Sequence, residues 1–109
     1  MDLVIINSDS MGQGDAALGA QLTGSFLRTL CSAGTRPNAI VFYNAGVKLL
    51  AEGSPVLDAL DILARAGIDL AACGTCVSFY KIADLKAGRV STMKEIVGMM
   101  GNARSAVTI

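Results

Sequence analysis

Ile68-Asp69-Leu70-Ala71-Ala72-Cys73-Gly74-Thr75-Cys76-Val77-Ser78-Phe79-Tyr80 is the most informative stretch of the chain. Its first five residues are an apolar run with one charge, which reads as a buried strand. Two thiols two residues apart follow at once, and Val77-Ser78-Phe79-Tyr80 can carry the start of a helix. The thiols therefore fall at the C-terminal end of a strand, where parallel α/β sheets bind their ligands. Backbone N–H groups at a helix start favour a thiolate, and only the thiolate is nucleophilic. The first chemical expectation is sulfur chemistry.

The flanking sequence alternates in the same way. Upstream, Leu3-Val4-Ile5-Ile6 reads as strand one and Ala39-Ile40-Val41-Phe42-Tyr43 as strand two. Between them, Ala16 to Ala33 has helical spacing, with Leu18, Leu22, Phe26, Leu27 and Leu30 expected on the buried side. Lys48 to Ala51 is expected to be a short helix. Ser54-Pro55 is a helix start with Ser as N-cap and Pro at the first helical position, and Gly67 ends that helix. Downstream, a weak helix runs to about Lys81, and Arg89-Val90-Ser91 is a short fourth strand. Thr92-Met93-Lys94-Glu95 is a capping box that opens another helix through about Met100. Ala106-Val107-Thr108-Ile109 closes the chain as strand five. The expected fold is a three-layer α/β/α sandwich with a mainly parallel five-stranded sheet, as one domain over residues 1–109.

Composition narrows the function classes. The 109 residues are 52% hydrophobic and 17% charged, with 9 Lys+Arg against 9 Asp+Glu. Zero net charge leaves no electrostatic footprint for nucleic acid or an anionic membrane. A domain this apolar and neutral is expected to hide surface in a homo-oligomer, and a sheet buried on both faces consumes apolar sequence as well. No apolar stretch reaches the length of a membrane span, and no signal peptide is visible. Three cysteines without a secretory signal read as thiols in a reducing cytoplasm. There is no histidine, so neither a Cys-His nor a Ser-His-Asp nucleophile can be built, and three cysteines cannot complete a four-thiolate zinc site. No metal and no cofactor is expected.

An ordered set of motifs along nearly the whole chain resembles the DsrE-like family of small sulfur-relay proteins. The set is Asn7-Ser8-Asp9-Ser10-Met11-Gly12-Gln13-Gly14-Asp15, Leu18-Gly19, Phe26, Asn44-Ala45-Gly46-Val47-Lys48-Leu49, Gly53-Ser54, Cys73-Gly74-Thr75-Cys76 and Met93-Lys94-Glu95-Ile96-Val97. Within that family it is most similar to the C-terminal, sulfurtransferase-like domain of the selenium-metabolism YedF proteins. The resemblance implies a parallel α/β domain assembled into trimers or hexamers. It implies sulfur carried as a cysteine persulfide and passed to a partner, with a TusA-like sulfur carrier as the candidate. In members with one active cysteine that residue follows a central strand, which matches Cys73. Two features depart from the family pattern: the TusA-like domain of full YedF-like proteins is not among these residues, as expected for either a standalone relative or a fragment, and Lys81-Ile82 stand where many relay subunits carry Arg-Gly.

The expected catalytic pair is Cys73 and Cys76, and which of them attacks first is open. Gly74 would let backbone approach a ligand, and Thr75 can donate a hydroxyl hydrogen bond. Asn7, Ser8, Asp9, Gly12 and Gly14 lie in a loop after strand one whose N–H groups could meet a small anion. Asn44 and Gly46 follow strand two toward the same sheet edge. Lys48 and Lys81 are the nearby cations, and Cys31 reads as packing. Three functions compete: a persulfide carrier, a dithiol redox protein using Cys73-Gly74-Thr75-Cys76, and a non-catalytic oligomeric module that binds an anion or a partner.

Overall fold

Strands β1 (Leu3–Ile6), β2 (Ala39–Phe42), β3 (Asp69–Cys73), β4 (Arg89–Ser91) and β5 (Ala106–Thr108) form one sheet in the order β4-β3-β2-β1-β5. Every neighbouring pair is parallel, so the sheet is wholly rather than mainly parallel. The computed structural model describes residues 1–109. The three inner strands are buried almost throughout, as unbroken apolar runs in a parallel sheet must be. The edges β4 and β5 have three residues each, which leaves little unpaired backbone.

Period-two alternation sorts the inner side chains onto two faces. Val4, Ile6, Ile40, Phe42, Leu70 and Ala72 pack on one face. They meet α1 (Ala16–Ser32), the 3-10 segment Asn44–Leu50, α2 (Leu57–Arg65) and α3 (Gly74–Phe79). Leu3, Ile5, Ala39, Val41, Ala71 and Cys73 pack on the other, where Ile96 of α4 (Met93–Asn102) covers them. The sandwich is therefore asymmetric, with most helical mass on one side. No helix is long and apolar enough to cross a membrane.

The buried face of α1 differs from the expected one. Leu27 and Leu30 point inward, but Leu18 and Leu22 are 52% and 44% exposed. Gly19, Thr23 and Gly24 take the inner positions instead. The cause is the loop before the helix. Met11 donates its N–H to the Gly19 carbonyl (3.0 Å) and lies 3.1 Å from the Thr23 hydroxyl oxygen. The Ser10 hydroxyl bonds the Ala16 carbonyl at 2.9 Å. A loop lying that close on the helix requires small side chains beneath it, so hydrophobic spacing gives way to size.

Other boundaries shift by a few residues. The segment after β2 is 3-10 from Asn44 rather than a helix from Lys48. Ser54 accepts from the Val56 N–H (3.3 Å), but α2 starts only at Leu57. Thr92 caps α4 by accepting the Glu95 N–H at 3.2 Å. The Glu95 carboxylate does not return to complete the box. It is held by Arg89 (2.7 Å) and by the Ser91 hydroxyl. Arg89 also grips Asp69 with two 2.8 Å bonds, so one guanidinium ties β3, β4 and α4. The Arg89 bonds hold the Asp69 carboxyl below its usual range, and Arg89 and Ser91 do the same for Glu95.

Leu27→Ala should cost about 2–5 kcal/mol in urea unfolding, while Leu22→Ala should stay within about 0.5 kcal/mol; equal losses would contradict the rotated helix. The two depressed carboxylates contribute stability that is full above the ordinary carboxylate pKa and lost as pH falls through the folded values. Arg89→Met should therefore be less stable than wild type near neutrality, and the gap should close toward about pH 2. Denaturant melts across that range read the difference directly.

Candidate functional site

Cys73 is the last residue of β3 and the residue before α3. It is only 3% exposed and packs beneath α4 among Val41, Ala71 and Ile96. The chain passes from strand to helix within one residue, so the first groups of α3 close around its sulfur. Gly74 opens the helix, packed against β4, and Thr75 stands exposed. Cys76, one turn on, is half-buried and touches the cores on both faces. All three cysteines are free thiols.

The two sulfurs have opposite character. Burial pushes the Cys73 thiol up. The N–H and thiol of Cys76 and the N–H and hydroxyl of Thr75 outweigh that and bring it below the ordinary thiol range. Burial raises Cys76; the Asn44 N–H works against this, and the neighbouring Cys73 sulfur adds to it. Of the pair, Cys73 is thus the sulfur whose thiolate is favoured and Cys76 the one whose thiol is favoured. A charge-assisted hydrogen bond contributes about 1.5–3 kcal/mol, so several together can offset the desolvation of one anion.

Asn44 reaches the cysteine loop through its backbone. Its N–H lies 3.0 Å from the Cys76 sulfur. The residue has φ +49°, a left-handed conformation that non-glycine residues rarely adopt. The Tyr80 hydroxyl donates to its Oδ1 at 2.9 Å and pins it there. Lys48 places its Nζ 4.5 Å from the centre of the Tyr80 ring. Gly46 is enclosed, because a Cβ there would run into the Ile6 carbonyl. That close approach brings the segment after β2 down onto the end of β1.

The loop after β1 lies to one side of the thiols. Asn7, Ser8, Ser10, Gly12, Gln13 and Ile109 line a cleft of about 340 Å³. This cleft stands at the C-terminal ends of β1 and β5, whereas the chain changes faces at the ends of β3 and β4, from which α3 and α4 leave on opposite sides. Gly12 (φ +79°) and Gly14 (φ +148°) supply the turn, with open space around both. Asp9 lies instead in a second cleft of about 460 Å³ with Lys48, Glu52 and Tyr80. Cys73, Gly74, Thr75, Cys76 and Asn44 therefore form one cluster. Asn7 connects toward it only through the Tyr43 hydroxyl (3.4 Å), and Ser8, Asp9, Gly12 and Gly14 stand apart. No three Cys, Asp or Glu side chains converge to hold a metal.

No family model matches the chain, and neither does any curated protein. Solved structures do. The fold is YchN-like. The YchN protein of E. coli aligns over 100% of both chains, with a TM-score of 0.65 and 16% identity. A protein of unknown function from Methanobacterium thermoautotrophicum aligns over 98% of this chain and 96% of its own, with a TM-score of 0.70 and 19% identity. Another, from Bacteroides thetaiotaomicron, covers 99% and 95%, with a TM-score of 0.66 and 18% identity. The YchN-like fold is the architecture that the sequence motifs implied.

Sequence reasoning did not assign Tyr80 or Tyr43 to the site. Tyr80 follows the second cysteine by four residues, one helical turn, and that spacing was the available signal. Tyr43 reaches Asn7 across two strands, which no local pattern reveals. Cys31 packs as expected, its thiol donating to the Ala59 carbonyl at 3.5 Å.

In a Cys31→Ser background, the ultraviolet thiolate absorbance should rise in two steps, one below and one above the ordinary thiol range. Cys76→Ala removes a donor to the Cys73 sulfur and should move the lower step up. A lower step that stays in place would remove Cys76 from the stabilisation of that thiolate.

Proposed function

We propose that this protein is a persulfide carrier, holding sulfane sulfur on Cys73 and passing it to a protein acceptor. The supporting observation is the Cys73 sulfur itself, at the end of β3 beneath α4, where donors from Thr75 and Cys76 favour the thiolate despite burial. A thiolate attacks the outer sulfur of a donor persulfide; the new S–S bond forms as the donor's own S–S bond breaks, and the donor leaves as its thiolate. No oxidant is consumed. The resulting persulfide anion occupies a place already furnished with hydrogen-bond donors. Selenium as cargo, a TusA-like acceptor, a cytoplasmic setting and a trimeric or hexameric assembly belong to the same reading and rest on the DsrE-like resemblance.

The contact between the two thiols favours a second reading, a dithiol that cycles a disulfide. Thioredoxin-like dithiols are paired with a cis-proline loop, and this chain has no cis peptide bond. The binding-module reading draws on the two clefts beside the thiols.

Intact-mass spectrometry after brief exposure to glutathione persulfide separates the three. A carrier gains one reducible sulfur that maps to Cys73, and the Cys73→Ser/Cys76→Ser double variant gains none. A loss of two hydrogens without sulfur gain would establish the dithiol instead. An unchanged mass would overturn both and leave the binding module.

A further inference from the structure

We propose that Cys76 is the entry cysteine of this site: it takes sulfur from the donor and hands it to Cys73, which stores it. The inference rests on the persulfide-carrier reading and divides the labour between the two thiols.

Access is the first argument. Cys73 is 3% exposed and belongs to the apolar cluster of Val41, Ala71 and Ile96, so its sulfur offers a donor molecule little surface. Cys76 is half-buried, and its neighbours Thr75 and Asn44 are both exposed. The sulfur whose thiolate is favoured is therefore the inner one, and the reachable sulfur is the outer one. A one-cysteine mechanism would require the better-shielded sulfur to do all the chemistry.

Contact is the second argument. Cys76 stands one helical turn after Cys73 and packs against the cluster that holds it, so a proton and then a sulfur atom can pass between them without any large movement. In the loading step, the Cys73 thiolate takes the Cys76 proton as Cys76 attacks the outer sulfur of the donor persulfide. A Cys76 persulfide forms, and the donor's thiol sulfur leaves with the S–S electron pair. The departing donor thiolate then takes the proton from Cys73. In the handover step, the restored Cys73 thiolate attacks the outer sulfur of the Cys76 persulfide. The new S–S bond forms at Cys73, the bond at Cys76 breaks, and Cys76 leaves as a thiolate. The proton of the transferred sulfur returns to Cys76. The net change is one sulfur moved from donor to Cys73, with a thiol donor beside an anion as at the start.

The third argument is the leaving group. During handover, negative charge develops on Cys76, and the Asn44 N–H already stands 3.0 Å from that sulfur. A donor fixed in place before charge develops lowers the barrier without reorganisation. Asn44 is held in its left-handed conformation by the Tyr80 hydroxyl. This gives a role to a backbone geometry that packing alone does not require.

Rapid-quench loading with glutathione persulfide, followed by peptide mapping, tests the order. In wild type, sulfur should be found on Cys76 first and on Cys73 later. Cys73→Ser should trap it on Cys76. Cys76→Ser, checked for folding by circular dichroism, should load Cys73 at least about tenfold more slowly, because the intramolecular step is lost. Loading of Cys73 at the wild-type rate in Cys76→Ser would overturn the inference and leave the carrier intact, as would wild-type protein in which sulfur reaches Cys73 without appearing earlier on Cys76. A wild-type protein that takes up none would overturn the carrier reading itself.

Discussion

The register of β3 between β2 and β4 governs everything at the site. Ala71 pairs with Val41 and Arg89, and Cys73 pairs with Ser91. Because side chains alternate along a strand, a slip of one residue would send Cys73 to the opposite face. Its sulfur would then lie among Leu60, Leu63 and Val77 rather than beneath Ile96. The register is held from both sides. Phe42 and Ala72 are fully buried on one face, and the Arg89 bridge to Asp69 and Glu95 fixes the edge on the other.

Given that register, the electrostatics follow from a competition. Burial opposes any charge on Cys73, and the short distance between strand end and helix start supplies the opposing donors. Two neighbouring sulfurs cannot both ionise easily, so stabilising one thiolate raises the other thiol. The asymmetry of the pair is thus a direct result of where the chain turns. Asn44 and Tyr80 extend the network outward, and the Lys48 ammonium over the Tyr80 ring brings a positive charge to its margin.

The topology sets the wider surroundings. The thiols stand at the end of β3, where α3 and the neighbouring α4 leave for opposite faces, two strands from the end of β1, and strands are spaced at about 4.8 Å. The cleft after β1 and the thiol cluster therefore share one sheet edge without merging. Asn7 and Tyr43 bridge the space between them. A ligand or partner element across this edge could meet both.

Strand positions, their parallel arrangement and the thiol pair were legible in the chain because they depend on local chemistry. β-branched runs, glycine and proline punctuation, and Cys73-Gly74-Thr75-Cys76 carry their meaning within a few residues. The inward face of α1 was not legible, since a loop packing on Gly19 and Thr23 replaces the hydrophobic stripe expected from Leu18 and Leu22. Nor were the tyrosines of the site, which act across a turn or across strands. Sequence thus established which atoms can do chemistry and on which sheet edge they stand. Folding settled which of the two sulfurs is buried, with its thiolate favoured, and which is the more exposed, with its thiol favoured. Burial and hydrogen-bond donation come from residues as distant in the chain as Asn44, Ile96 and Cys73, and only the packed sheet brings these together.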